Sequence, residues 1–424
     1  LKPDSLGQEF IGFGGALTES VGYVYSRLSP ERKTELIKAC FSQREGNAYT
    51  LARTHMNSCD FSLDNWACVE REDESLDSFS MERTDKYVTP LLKAAAGKAL
   101  EGGTPLGLMV SPWSPPVWMK DNHDMNHGGK LLPRYWDAWA RYFARFLEEL
   151  KARNLSVWAV SVQNEPEAAQ AWDSCLWTAK EEGDFVAKCL GPTLERAGLG
   201  GVKILVWDHN RDVLLKRFEK SMMSRNAKKY ISGAAFHWYS GDQYGNVAEI
   251  AKRFPDKLLV FSEGCVEGGP RPGAWFPGER YAHNVINDLN SGCHAWIDWN
   301  VALDAKGGPN HANNFCDAPI LVDPETGEIR YQSSYYYLGH FSRFIRPGSR
   351  RLGFDVESYM TPATVDGRMG NQIEFTAFQN ADGKIIFVLC NRTEADALYR
   401  LRLGGESLLL YCPPRGIQTL EIEG

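Results

Sequence analysis

Eight apolar runs with strand character alternate with helix-like segments through most of this chain. The runs are Phe10–Leu17, Thr50–Met56, Pro105–Ser111, Val157–Gln163, Val202–Asp208, Gly233–Trp238, Lys257–Ser262 and His294–Val301. Between and after them, residues Pro30–Phe41, Thr89–Ala99, Arg134–Arg153, Lys180–Ala197, Asp212–Met222, Val247–Arg253, Tyr281–Ser291 and Tyr331–Phe344 read as helices. The third is the clearest, because Trp136, Trp139, Phe143, Phe146, Leu147 and Leu150 recur at helical spacing. Near-continuous apolar strands that alternate with helices require a parallel sheet covered on both faces. Eight such units predict an α/β fold, a closed (β/α)8 TIM barrel. An open doubly wound sheet is the alternative. The glycines at 12, 14 and 15 have the wrong spacing for a dinucleotide fingerprint and lie inside the first run.

After about Pro347 the pattern changes. Ile373–Gln379, Lys384–Cys390, Ala397–Leu403, Ser407–Cys412 and Ile417–Ile422 are short runs separated by Gly, Asn and Asp turns. The expected division is a barrel over residues 10–346 and a small sandwich-like β-domain over 347–424, with a strand from residues 1–9 added to it.

Composition narrows the function. A net charge of −7 over 424 residues, with no basic block, argues against nucleic acid as a partner. No apolar run is long enough for a transmembrane segment. The first residues do not read as a signal peptide, so a complete chain is expected in the cytoplasm and a trimmed one outside the cell. The ten cysteines are irregularly spaced, with no Cys-x-x-Cys and no close Cys/His set. They read as reduced, buried small residues, and no metal site is expected.

The barrel frame gives the polar residues a location, since catalytic groups in such barrels come from the carboxyl ends of the strands. Arg53, Asp60, Trp113, Asn164, Glu165, Asp208, His237, Tyr239, Glu263 and Trp299 all fall there. A lone loop glutamate is ordinarily a surface residue. Glu165 and Glu263 differ in ending the fourth and seventh strand runs, which face each other across the barrel. Two opposed carboxyl groups are what glycosidic cleavage needs, one to donate a proton and one to attack the sugar or activate water. A spacing of about 5 Å would mean retention of configuration, and a wider one inversion. Trp113 and Trp299 offer flat faces to a sugar ring, and Asp60 and Asn164 offer hydrogen bonds to its hydroxyls. Arg53 and Tyr239 are expected to keep one carboxylate charged, and that charge to raise the pKa of the other. His237 is assigned a supporting place. Glu167 and Glu267 rank lower because each lies further past its strand end.

These motifs resemble the glucosylceramidase-type glycoside hydrolases of family thirty, clan A. The resemblance runs through Gly12-Phe-Gly-Gly-Ala16, Arg53-Thr-His-Met-Asn-Ser-Cys-Asp-Phe-Ser62, Ser111-Pro-Trp-Ser-Pro-Pro-Val-Trp-Met-Lys120 and Gln163-Asn-Glu-Pro166. It continues through His237-Trp-Tyr239, Ser262-Glu-Gly264, Asp298-Trp-Asn300, Gly307-Gly-Pro-Asn310, Asn314-Phe315 and Pro319-Ile-Leu-Val-Asp323. It implies a retaining double displacement with Glu165 as general acid/base and Glu263 as nucleophile, and no cofactor. It also implies a glycone pocket lined by Asp60, Trp113, Asn164, Tyr239, Trp299 and Asn314, with Arg53 beside the nucleophile. The implied substrate is a β-linked glucoside or oligosaccharide, a glycolipid among the candidates. Activity on β-1,6-glucans, β-xylosides or β-fucosides is the alternative within the family. A carbohydrate-binding protein without catalysis is the alternative outside it. The loop 167–177, with Trp172 and Trp177, and the Trp275-Phe276 segment depart from the animal members of the family. Both are expected on the aglycone side.

Overall fold

The computed structural model describes residues 1–357 and 372–423. The chain begins with β1 (Lys2–Glu9) and then enters a closed barrel. The barrel strands are β2 (Gly12–Ala16), β3 (Leu51–Met56), β4 (Gly107–Pro112), β5 (Val157–Ser161), β6 (Lys203–Asn210), β7 (Ile231–His237), β8 (Leu258–Glu263) and β9 (Ala295–Asn300). Each pairs in parallel with the next, and β9 closes on β2. All eight lie within the runs expected from sequence or within two residues of them. The first strand needs its glycines. A Cβ at Gly14 would stand 2.0 Å from the Leu51 carbonyl oxygen, too close for any side chain.

The barrel interior is filled rather than hollow. Leu51, Met109, Ala159, Leu205, Ala235, Val260, Ala295 and Ile297 form an apolar plug across it. Outside the strands, helix Trp136–Ala152 buries Trp139, Phe143, Phe146, Leu147 and Leu150, the expected stripe. Helix Glu19–Arg27 lies outside the helices expected from sequence. Gly22 and its valines weaken its helical signal, but Thr18 caps it by accepting from the Val21 N–H. Helix Glu82–Glu101 starts seven residues before the expected Thr89 and carries Pro90 inside. Burial of Thr84 and Val88 favours the extra turns despite the missing donor. The segment expected as one helix over 180–197 is interrupted by a wider turn at Val186–Leu190, just ahead of Pro192. Proline lacks the N–H that an unbroken α-helix would use there.

Three three-residue strands, β10 (Ala302–Asp304), β11 (Ile320–Val322) and β12 (Ile329–Tyr331), form a small sheet that sequence periodicity is too short to reveal. The remaining strands are β13 (Arg350–Gly353), β14 (Ile373–Gln379), β15 (Ile385–Asn391), β16 (Ala397–Leu403), β17 (Glu406–Cys412) and β18 (Gly416–Ile422). One sheet has the order β1-β13-β14-β15-β18, and β16-β17 form a second. Leu352, Ala377, Ile385, Phe387, Leu389, Ala397 and Cys412 form the core between the two sheets. This β-sandwich packs on the barrel helix Phe276–Asn290. His283 meets Glu374 at 2.7 Å, and Glu279 meets Arg415 at 2.6 Å. Among the described residues no helix is long and apolar enough to cross a membrane. All ten cysteines are buried free thiols.

Candidate active site

Two residues above the plug, the strands change character. Arg53 on β3, Ser111 on β4, Ser161 on β5, His237 on β7 and Ser262 on β8 turn into the barrel mouth, and all five are fully buried. They converge on Asp208. Its Oδ2 accepts from Arg53 Nη2 at 2.8 Å, Ser111 Oγ at 3.0 Å and Ser161 Oγ at 2.5 Å. Its Oδ1 accepts from Ser262 Oγ at 2.5 Å and lies 3.1 Å from His237 Nε2. Burial opposes charge on Asp208, but Arg53, His237 and the hydroxyls hold its carboxyl well below the usual range.

Arg53 is the centre of the constellation. Besides Asp208, its Nη1 donates to Glu263 Oε2 at 2.6 Å and its Nη2 to Asn164 Oδ1 at 2.8 Å. Its guanidinium lies 4.7 Å from the centre of the Trp113 ring and 5.6 Å from that of Trp299. The two indoles stack with centroids 5.4 Å apart, and both are almost fully buried. Glu263 ends β8, and the Tyr239 hydroxyl donates to its Oε1 at 3.0 Å. Both oxygens of Glu263 are therefore held by donors. The residue after it must be glycine, since a Cβ at Gly264 would meet the Phe261 and Trp238 rings at 2.7 Å.

Glu165 sits across the mouth in a left-handed backbone conformation, φ 47°. Its N–H donates to the Asp208 carbonyl at 3.0 Å, which ties the loop after β5 to the end of β6. Its Oε1 lies 3.2 Å from His237 Nδ1 and 3.6 Å from His209 Nδ1. The same His237 nitrogen is 3.9 Å from Glu263 Oε1, so one imidazole keeps the two carboxylate oxygens within about 7 Å of each other. Asp60 and Asn314 meet at the rim, where Asn314 Nδ2 donates to Asp60 Oδ2 at 3.1 Å, while Asp60 Oδ1 is buried without a partner. Burial first, then the charge of Glu263, push the Asp60 carboxyl up to about 8.

Of the eleven site residues named from sequence, nine are linked through Arg53, Asp208 and His237, and Asp60 and Asn314 pair with each other at the rim. Two expectations change. Burial and His237 move the two glutamates in directions that carboxylate-against-carboxylate reasoning does not give. Burial opposes a charge on His237, yet Glu263, Asp208 and Glu165 raise it to about 9. That cation, with His209, pulls Glu165 down to about 2 against the upward push of burial. Burial raises Glu263, and the pull of His237 and Arg53 does not offset it. The cause is a histidine between the two acids, where spacing in the sequence shows only carboxylate against carboxylate. The second change concerns the loops. Trp177 is buried and stacks on Trp136, and Trp275 donates to the Arg415 carbonyl of the β-sandwich at 2.8 Å. Only Trp172 of that group packs against the buried cluster to which Trp113 and Trp299 belong. Glu167 is engaged by Arg217 at 2.8 Å, and Glu267 pairs with Cys316 in an isolated bridge.

Sequence reasoning misses His209 and Gln170. Gln170 Nε2 faces Glu165 Oε2 at 3.5 Å. The signal for His209 is its place just past the fifth run, beside Asp208. The backbone there is irregular, with Trp207 at φ 76° and Asp208 at φ 50°, and the register against β7 slips between Trp207 and His209. A bulge turns the acid inward where strict alternation would have put Trp207.

Residues 10–345 match the family profile described as the glycosyl hydrolase family 30 TIM-barrel domain, and residues 348–420 match the family 30 beta sandwich domain. The chain belongs to glycosyl hydrolase family 30. It is a retaining β-glycosidase, an enzyme that hydrolyses glycosidic bonds. It is 34% identical to the lysosomal acid glucosylceramidase of Mus musculus over 93% of this chain and 77% of that one. The crystal structure of SrfJ from Salmonella typhimurium superposes with a TM-score of 0.92 at 36% identity, covering 100% of this chain and 92% of the other. The endo-beta1,6-glucanase BT3312 superposes with a TM-score of 0.87 at 26% identity, covering 100% and 93%.

Proposed function

We infer that this family 30 enzyme removes single β-linked glucose units by double displacement, with Glu263 as nucleophile and Glu165 as general acid/base. The observation that carries the assignment is the unequal hold on the two glutamates. Arg53 and Tyr239 fix both oxygens of Glu263, which aims a carboxylate at a sugar C1. Glu165 is held loosely by imidazoles and Gln170, in reach of a departing oxygen. Attack by Glu263 forms the glycosyl ester while Glu165 gives its proton to the glycosidic oxygen. Water then attacks the ester, Glu165 takes the water proton, and Glu263 leaves as carboxylate. The proton for the first step comes from the His237–Glu165 hydrogen bond. The buried indoles of Trp113 and Trp299 back the glycone, and Asp60, Asn164 and Asn314 supply its hydroxyl contacts. Trp172 faces the aglycone.

Glucosylceramide is the leading natural substrate class, supported by 34% identity to a glucosylceramidase over most of the chain. β-1,6-Glucan is the second reading, supported by similarity across the whole chain to an endo-β-1,6-glucanase. Assays on glucosylceramide, gentiobiose, a longer β-1,6-glucan and an aryl β-glucoside separate them. Preference for the long glucan would overturn single-unit removal.

The catalytic assignment has its own test. Glu263→Ala should abolish turnover, and azide should restore it with an α-glycosyl azide as product. Glu165→Ala should lose about 10²–10⁴-fold on poor leaving groups and far less on good ones, which depart without a proton. Near-native activity of either variant on an unactivated disaccharide would refute the roles.

A further inference from the structure

Three side chains from three strand ends aim ligand atoms at one point in the mouth. Glu165 Oε1 lies 3.2 Å from His237 Nδ1 and 3.6 Å from His209 Nδ1. One ligand atom from each of the three lies within 4.8 Å of the others. A tetrahedral zinc ion with bonds of roughly 2.0–2.2 Å to nitrogen and oxygen sets neighbouring ligand atoms roughly 3.2–3.6 Å apart. The two measured edges are those of such a tetrahedron. Two histidines and a glutamate with one open position are also a known ligand set for accessible zinc.

The surroundings supply what a metal site needs beyond its ligands. His237 turns its other nitrogen, Nε2, to Asp208 at 3.1 Å, and Asp208 is itself fixed by Ser262 at 2.5 Å. A carboxylate behind an imidazole orients the ring and strengthens the opposite nitrogen as a ligand. His209 Nδ1 is buried and makes no hydrogen bond. Three carboxylates, Glu165, Asp208 and Glu263, crowd the point, and among the described residues Arg53 is the one permanent cation hydrogen-bonded to any of them. The Glu165 and His209 side chains are each 14% exposed, which leaves an entry path and room for a fourth ligand.

We propose that Glu165, His209 and His237 bind a divalent transition cation of the zinc type, and that its binding shuts off the glycosidase. Binding follows from the geometry alone. The inhibition rests on Glu165 being the general acid, because the ion takes the oxygen that must hand over a proton and stands where the glycosidic oxygen would be. The ligands come from the ends of β5, β6 and β7, so no local spacing in the sequence announces the site.

The test begins without substrate. The intact enzyme is titrated with ZnCl2 by calorimetry and with CoCl2 by visible absorption. One ion per chain is expected, with cobalt bands of a nitrogen and oxygen ligand set and no thiolate charge-transfer band. Glucosidase activity should fall in step with occupancy and return with EDTA. His209→Asn should weaken binding by at least the roughly 10–100-fold that loss of an outer-shell partner costs. Glu165→Gln should do the same, and Glu263→Gln, which keeps all three ligands and removes only a neighbouring charge, should weaken binding less than either. Thermal melts confirm that each variant is folded. Absence of binding, a thiolate band, or binding unchanged in both His209→Asn and Glu165→Gln would overturn the site. Stoichiometric binding at this site with full activity retained would uphold the site and count against Glu165 as the acid.

Discussion

The apolar plug and the polar layer above it are built by the same strands, two residues apart. Leu51 belongs to the plug and Arg53 to the layer. The same step separates Met109 from Ser111, Ala159 from Ser161, Ala235 from His237, Val260 from Ser262, and Ile297 from Trp299. Strand alternation alone places both members of each pair inside the barrel. Apart from Ala295, which is followed at that step by Ile297 of the plug itself, only Leu205 breaks the rule. Its partner should be Trp207, but the bulge brings in Asp208, and five in-register neighbours bond to it. The plug needs no partners because it is apolar. The layer is tolerable only because every buried charge in it is met.

The contrast is sharpest at Arg53. Replacing it with methionine keeps the bulk but leaves Asp208 and Glu263 buried without their cation. Loss of one partner from a buried pair costs about 3–5 kcal/mol. Arg53→Met should therefore unfold at lower urea and also lose turnover, since Glu263 is no longer aimed. Wild-type stability in this variant would mean that the carboxylates of the layer are not ionised in the native state.

Met109→Ala attacks the plug under the same layer. A buried methionine cut to alanine costs about 2–5 kcal/mol. Stability should fall, while kcat per folded molecule stays near the wild type. If turnover falls in proportion to stability, the plug and the layer are not separable, and the comparison fails.

The two regions are also unequally legible in the sequence. The plug residues follow from apolar runs, so the barrel can be read without a structure. In the layer, Arg53, Glu165, His237 and Glu263 stand out because each ends a run or follows it directly. The hub, Asp208, stands at a strand end without a role, because a hub is defined by partners on five other strand ends. His209 is hidden by the bulge, whose left-handed residues at 207 and 208 carry no glycine signal. The influence of His237 on the two glutamates is missed from sequence for a related reason. It depends on a histidine lying between two acids, which is a fact of tertiary packing and not of spacing.

The smallest expected effect has the opposite sign. Asp60 is buried at the rim, 4% exposed, with Oδ1 unpartnered and its carboxyl raised to about 8. An unfolded aspartate titrates near about 3.9. Between those values the folded protein keeps a proton that the unfolded chain gives up. Protons therefore bind the native state more, and stability falls as pH rises through the window. Below about 4 the contribution is flat, and above about 8 the full loss has been incurred. An amide in place of this carboxyl would carry no charge in either state, while its oxygen could still accept from Asn314. Asp60→Asn should match the wild type in melting temperature near pH 4 and exceed it near pH 8. Its kcat/KM should fall near pH 8, where the wild-type carboxyl starts to ionise and can offer a sugar hydroxyl a charged acceptor that the amide NH2 cannot. Arg53→Met thus loses stability and turnover, Met109→Ala loses stability alone, and Asp60→Asn trades turnover for stability. Thermal melts of the wild type and Asp60→Asn across pH 4 to 8 decide the last case. Parallel curves would mean that Asp60 is already ionised in the free enzyme, and that the rim carboxylate is stabilised by contacts other than the one it makes with Asn314.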